Sequence, residues 1–237
     1  PRAGREGLVA VQRAHRLSIP FENLDIPLGR GISLDPTAVF DKLVVQRRGG
    51  YCFEQNQLFL RALLLMGFEA RPLLARVGLM AEGVPPRTHT FNLVQLEGEQ
   101  WIADAGFGGS FTPPMPLEAG RVVQTDDGVR HRLTIDSHFG WMLERDSGDG
   151  IFQQQYSFEL DAVWPGDLVM ANHFTSTKPQ TRFTTLRIVS IPTATGHAAL
   201  TDRHFSTSQG DSREIADLNE YREILAGMFG LTLSATE

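Results

Sequence analysis

Residues 47–56 read Arg-Arg-Gly-Gly-Tyr-Cys-Phe-Glu-Gln-Asn and hold the only cysteine of a 237-residue chain. A helical pattern starts at that cysteine. The first turn of a helix leaves backbone N–H groups unpaired, and their partial positive charge favours an anion. A thiolate is the nucleophilic form of cysteine, and the same N–H groups can hold a developing oxyanion. Gly49 and Gly50 permit backbone angles that other residues resist and leave space beside the sulfur. Cys52 is therefore either a nucleophile or a small buried apolar residue, since free cysteine often behaves as the latter. A cysteine nucleophile needs a base, and the base needs an orienting group. Of the seven histidines, His89 stands in an alternating strand pattern, Thr-His-Thr-Phe-Asn-Leu-Val. The next strand, Gln-Trp-Ile-Ala-Asp, ends at Asp104. A two-residue turn at Glu97-Gly98 pairs Leu96 with Glu99 and, counting back, Phe91 with Asp104. His89 shares the face of Phe91, Leu93 and Ile102, so His89 and Asp104 become diagonal neighbours roughly 7–8 Å apart or less at Cβ. A one-residue slip would send Asp104 to the other face. The glycine-rich run after Asp104, Ala-Gly-Phe-Gly-Gly, lets backbone approach a ligand closely or is an ordinary loop.

These groups need elements to position them. The first 66 residues read as helical. Leu8, Val11 and Ala14 recur at helical spacing and Pro20 closes that helix. Asp35-Pro36 reads as an N-cap followed by proline at the first helical position, with Phe40, Leu43 and Val44 as the buried face. From Cys52 to Met66, Phe53, Asn56, Leu60, Leu63 and Leu64 share a side, and Gly67 caps the end. From about residue 70 short alternating segments follow, at 73–77, 88–96, 100–105, 132–136 and 141–145, separated by turn residues. They predict a mostly antiparallel β region up to about residue 170. Residues 182–190 read as a further strand. Asp217 with Glu220 opens a last helix, with Leu218, Tyr221, Leu225 and Met228 inward and Gly230 at its end. The predicted division is a helical part over 1–66 carrying Cys52, a β part over 67–170 carrying His89 and Asp104, and a third part over 171–237.

Composition excludes several classes. The formal net charge is −6, and no dense basic run gives a footprint for nucleic acid. No apolar segment approaches bilayer length and no secretory pattern is present. One cysteine makes no internal disulfide and no multi-cysteine metal centre. The expectation is a cytoplasmic protein that uses neither nucleic acid nor membrane. His131 and His138 flank Asp136, but no further ligand set accompanies them, so no metal site is expected. The segment Gln46-Arg47-Arg48-Gly49-Gly50 superficially resembles a pyrophosphate loop, but Tyr51 stands where that loop needs a small residue.

Four segments resemble one family. Arg48-Gly49-Gly50-Tyr51-Cys52-Phe53-Glu54 resembles the active-site cysteine motif of the arylamine N-acetyltransferases. Ile19-Pro20-Phe21-Glu22-Asn23-Leu24 resembles that family's N-terminal signature. Pro85-Pro86-Arg87-Thr88-His89 and Asp104-Ala105-Gly106-Phe107-Gly108 resemble its histidine and aspartate segments. Order and spacing agree, from about Leu8 to about Leu233. The resemblance implies an α+β fold with a helical N-terminal domain, an antiparallel β-barrel-like middle domain and a small α/β lid around a cysteine-protease-like Cys-His-Asp core. It implies a Cys52–His89–Asp104 triad, acetyl-CoA as co-substrate, no metal, and a ping-pong reaction that carries the acetyl group on Cys52 to a small arylamine or hydrazine acceptor. By matching positions, Phe21, Val77 and Phe107 line the acceptor pocket beside Gly106 and Gly108. Glu22 and Arg48 pair to brace the Cys52 loop. The rival readings are an amide synthase of the same fold with a donor other than CoA, a thiol hydrolase in which water clears the acyl group, and a non-catalytic binding protein with a vestigial site.

Overall fold

The computed structural model describes residues 3–78 and 83–233. Helix α1, Arg5–Ser18, buries Leu8, Gln12 and Arg16, a stripe at i, i+4 and i+8. Val11 is only half-buried and Ala14 is exposed, so the expected apolar face is displaced by a polar one. The reason is what this helix meets, which is the backbone carbonyls of a loop. A short strand β1, Phe21–Glu22, follows. Helix α2, Pro36–Phe40, begins as expected, because the Asp35 carboxylate accepts from the Thr37 and Ala38 N–H groups. It runs on into a π-helical turn, Asp41–Val45. The wider turn places Val39 and Leu43 inside, while Phe40 and Val44 are exposed. Helix α3, Cys52–Leu65, buries Phe53, Asn56, Phe59 and Leu63, whereas Leu64 faces out. Gly67, at φ 87°, closes it with paired bonds from Gly67 N–H to Leu64 O and Phe68 N–H to Leu63 O, the glycine-capped ending expected for a helix meeting a strand.

Eight antiparallel strands then form the main sheet. They are β2 (Glu69–Val77), β3 (Arg87–Leu96), β4 (Glu99–Ala103), β5 (Met115–Pro116), β6 (Val122–Gln124), β7 (Arg130–Asp136), β8 (Gly140–Asp146) and β9 (Gln153–Phe158). Their order is β5-β4-β3-β2-β9-β8-β7-β6. The segment after β5 bridges back to β7 through Ala119 and Leu133, so the sheet is nearly closed and barrel-like. Its interior holds Leu73, Phe91, Leu93, Ile102, Leu133, Leu143, Tyr156 and Phe158. The β3–β4 hairpin has the expected register, Leu96 opposite Glu99 and Asn92 opposite Ala103. Glu97 and Gly98 take φ values of 54° and 86°, the doubly positive turn that suits a two-residue hairpin.

Helix α4, Pro165–Thr177, crosses residue 170 and was not expected. Residues 182–190 are not one strand. A single helical turn α5, Arg182–Thr185, precedes strand β10, Ile188–Thr193. Asn23 forces this break: its side chain donates to the Phe183 and Leu186 carbonyls and accepts from the Ile188 N–H, a contact across the fold that local alternation cannot reveal. Strands β11 (Gly196–Thr201), β12 (His204–Thr207) and β13 (Ser212–Glu214) complete a second sheet in the order β1-β10-β11-β12-β13. The N-terminal segment thus contributes a strand to the C-terminal sheet. Helix α6, Leu218–Phe229, starts at Asp217, whose carboxylate accepts from Asn219 and Glu220 N–H, and ends at Gly230, φ 66°. Glu220 accepts from Ala216 N–H, one residue before the position a capping box uses. Leu225 and Phe229 are buried, while Leu218 and Met228 are exposed, so the inward face is rotated from the expected one.

Candidate active site

Cys52 is the first residue of α3 and only 3% exposed. The turn before it is braced by buried charges. Arg48 Nη2 donates to Glu22 Oε1 at 3.0 Å and to Asp25 Oδ1 at 3.4 Å, and Lys42 pairs with both Asp25 and Glu54 at 2.7 Å. Glu54 Oε2 accepts from the Tyr51 N–H at 3.0 Å, fixing the helix start. Gly49 and Gly50 do not take positive φ, which corrects the expectation that they supply unusual angles and open space. A Cβ on Gly49 would lie 2.4 Å from the Pro20 carbonyl oxygen, and one on Gly50 2.9 Å from Glu54. Their small size lets other parts of the protein close against the turn.

His89 and Asp104 meet as the hairpin register requires. His89 Nε2 and Asp104 Oδ2 are 2.7 Å apart, both groups buried. The Cys52 sulfur lies near enough to the ring to help raise its pKa, and it lies 3.9 Å from Thr88 O. Asp104 is fully engaged. Oδ2 also accepts from Tyr156 OH at 3.1 Å, and Oδ1 accepts from Asn56 Nδ2 at 3.0 Å and Gly106 N–H at 2.9 Å. Burial raises the carboxyl's pKa, but the His89 charge and these donors together hold it below the ordinary value. Burial lowers the His89 pKa, and Asp104 with the Cys52 sulfur more than reverses that, holding the ring well above the ordinary imidazole value. The ring therefore carries a proton near neutral pH.

The sign of each shift gives a stability prediction. The His89 contribution is complete below the ordinary value of 6.5 and is lost as pH rises through the raised folded value. The Asp104 contribution is complete above 3.8 and is lost as pH falls through the lowered folded value. Thermal melts are expected to show His89→Gln costing most stability between pH 4 and 6.5, with wild type and variant converging toward strongly alkaline pH. A gap that widens with rising pH would refute the charged pair.

The other expected residues fall around this centre. The Phe107 ring meets the His89 ring edge-on at 5.1 Å. Phe21 is buried in one cluster with Tyr51, Cys52 and Leu74, which Phe183 and Ala171 flank. Val77 lies at the end of β2, paired with Tyr156. Gly108, at φ 81°, faces the Phe21 ring, and a Cβ there would lie 3.3 Å from it. Gly106 is the tightest point. A Cβ would lie 2.6 Å from Asn56 Nδ2 and 2.9 Å from Cys52 Cα. Gly106→Ala is expected to push the Asp104 loop off the start of α3 and lower any reaction that runs through Cys52 about 100-fold, since a misplacement near 1 Å has that effect; steady-state rates with a melting control check it. Two members of the site were not singled out from sequence. Asn56, one turn after Cys52, was placed only on a helix face; its spacing of four residues was the available signal. Tyr156 was missed because its strand, Gln-Gln-Gln-Tyr-Ser-Phe, shows little apolar alternation.

A buried thiol, a histidine ring and a carboxylate locked to that ring are the groups that acyl transfer through a thiol requires. The sequence model of the N-acetyltransferase family matches residues 6–237. The arylamine N-acetyltransferase / N-hydroxyarylamine O-acetyltransferase of Salmonella typhimurium is 42% identical over 234 residues, 95% of this chain and 82% of that protein. The Escherichia coli arylamine N-acetyltransferase is 39% identical over 232 residues, 94% of this chain and 81% of that one. Among solved structures, the Salmonella typhimurium enzyme superposes with a TM-score of 0.91 at 38% identity, over 99% of this chain and 87% of that one. The Mycobacterium marinum arylamine N-acetyltransferase in complex with CoA superposes with a TM-score of 0.88 at 31% identity, over 95% of this chain and 86% of that one. The chain belongs to the arylamine N-acetyltransferase family.

Proposed function

We propose that this chain transfers the acetyl group of acetyl-CoA to the nitrogen of an arylamine or arylhydrazine, through an acetyl thioester on Cys52. The observation that carries this reading is the Cys52–His89–Asp104 line with every lone pair of Asp104 facing a donor. In the first half-reaction the Cys52 thiolate attacks the acetyl carbonyl. The C–S bond to CoA breaks, and His89 protonates the departing CoA thiolate. In the second, the amine nitrogen attacks the thioester, His89 takes the proton from that nitrogen, and Cys52 leaves as thiolate. Asp104 holds the ring orientation through both. Exchange of one thioester for another is nearly balanced, and amide formation drives the second step. The ring of Phe107 with Phe21 and Val77 supplies an apolar wall for a flat acceptor, and Gly106 and Gly108 let that wall approach the sulfur. The setting is a cytoplasmic one with small-molecule partners.

Intact-protein mass after mixing with acetyl-CoA alone, then with an arylamine, tests this. One acetyl group is expected on Cys52, leaving when the amine is added. An unacetylated protein whose thiol still reacts with iodoacetamide would overturn acetyl-CoA as donor; loss of the acetyl group at the same rate without amine would make it a hydrolase.

A further inference from the structure

The loop that follows Asp104 lies outside both sheets, so its backbone groups need partners from elsewhere. Side chains of several elements supply them. The Gly109 N–H donates to Ser190 Oγ on β10 at 2.9 Å, and the loop's own Ser110 side chain is tied down by Arg145 on β8, which donates to its Oγ at 2.9 Å. From α1, Gln12 Nε2 donates to Asp104 O at 3.1 Å and to Thr112 O at 2.7 Å. One turn later, Arg16 donates to the Ala105, Gly109 and Ser110 carbonyls at 3.4, 3.2 and 3.4 Å. Arg16 is 1% exposed, and among the described residues no carboxylate lies within ion-pair distance of it. A buried guanidinium is costly unless its donors are met. Here they are met by carbonyls, and the planar fork suits several convergent acceptors. Plain packing at this position would be served better by leucine.

We infer that Arg16 is a positioning residue for the acceptor half-reaction, with Gln12 as its companion. Together they clamp residues 104–112, which carry Phe107 onto His89 and Gly106 onto the backbone of Cys52. Removing Arg16 leaves three carbonyls, two of them in buried bonds, without this donor and frees the segment that bears Phe107. The triad itself keeps its other ties, because Asp104 stays bonded to Asn56, Tyr156 and Gly106. The substitution therefore acts on how the acceptor is held more than on how the thiol is acetylated. The inference rests on the acetyl-transfer reading above for its kinetic form.

The test compares wild type, Arg16→Met and Arg16→Lys in three readouts: the rate of Cys52 acetylation by acetyl-CoA, kcat and KM for 2-naphthylamine, and backbone amide exchange over 105–110. Arg16→Met is expected to raise the acceptor KM about 10-fold, leave the acetylation rate within about twofold, and speed amide exchange over 105–110 about 10-fold. Lysine keeps the charge and reaches part of the carbonyl set, so its KM is expected to fall between the two, about threefold above wild type. Equal slowing of both half-reactions, an unchanged KM, or a lysine variant no better than methionine would overturn the proposal. If Arg16→Met does not fold, a wild-type KM in Arg16→Lys overturns it and the intermediate value supports it. If the wild type takes no acetyl group from acetyl-CoA, the acetyltransferase reading fails, and amide exchange decides the clamp separately: faster exchange confined to 105–110 supports it, and unchanged exchange sinks it.

Discussion

Cys52→Ala is expected to lower arylamine acetylation by at least about 10⁴-fold while leaving a folded protein. The two halves of that statement have separate causes. On the thioester reading proposed above, transfer stops because the sulfur that carries the acetyl group is gone, while His89 keeps its bond to Asp104. The fold survives because the start of α3 does not depend on the thiol. Glu54 still accepts the Tyr51 N–H, and Gln55 N–H still bonds to Tyr51 O. The vacated space is about one sulfur atom, with a cost of about 1 kcal/mol. Cys52→Ser refills most of that space with a hydroxyl, a much weaker nucleophile at neutral pH, and is expected to be nearly as inactive. Serine and alanine behaving alike separates loss of nucleophilicity from loss of packing. Turnover by the alanine variant within about tenfold of wild type would show that the amine attacks acetyl-CoA directly, with His89 as base and no acetyl-enzyme.

How much of this could be read from the chain depended on the range of the contacts. The Glu97-Gly98 turn and the alternation on each side of it determine a local register, and that register alone places His89 diagonal to Asp104. The Asp35 cap and the Gly67 ending are local in the same sense. Faces of helices were less legible where the buried stripe is not apolar. In α1 the sequence offers Leu8, Val11 and Ala14 as the inner face, whereas burial of Gln12 and Arg16 depends on acceptors about 90 residues away in the chain. Phe40 and Val44 read as core because a regular helix was assumed where the backbone widens into a π turn. Strand β9 went unresolved as an element because three glutamines precede Tyr156, and its central place between β2 and β8 is a property of the sheet rather than of the segment. The break at α5 was hidden for the same reason, since the residue that imposes it is Asn23. Gly49 and Gly50 read as supplying unusual angles and open space, whereas the need for glycine there comes from Pro20, Glu22 and Glu54 closing on them.

Asp104→Asn tests that network at its centre, and is expected to lower transfer about 10³- to 10⁴-fold through the histidine rather than through the fold. The wild-type carboxylate only accepts, and four donors point at it: His89, Tyr156, Asn56 and Gly106. An asparagine brings one acceptor oxygen and an NH₂ group of similar shape. If the oxygen stays with Asn56 and Gly106, the NH₂ faces Nε2 of His89. That nitrogen must then accept, so the ring's proton moves to Nδ1 and the ring becomes neutral. A neutral ring with its hydrogen on the sulfur side can neither stabilise the thiolate nor take a proton from the attacking amine. If the amide flips instead, its NH₂ meets Asn56 Nδ2 and Gly106 N–H, and two buried donors confront a third. Each lost bond to the charged group is worth about 1.5–3 kcal/mol, so the flipped form is the less stable one and the tautomer reversal is the expected outcome. Iodoacetamide separates the two ways in which the substitution can slow transfer. With the imidazolium removed, Cys52 alkylation at neutral pH should slow along with transfer, and raising the pH should recover alkylation without recovering transfer to the amine. Recovery of both at high pH would assign Asp104 to ionising the thiol alone; wild-type rates at every pH would remove it from the mechanism.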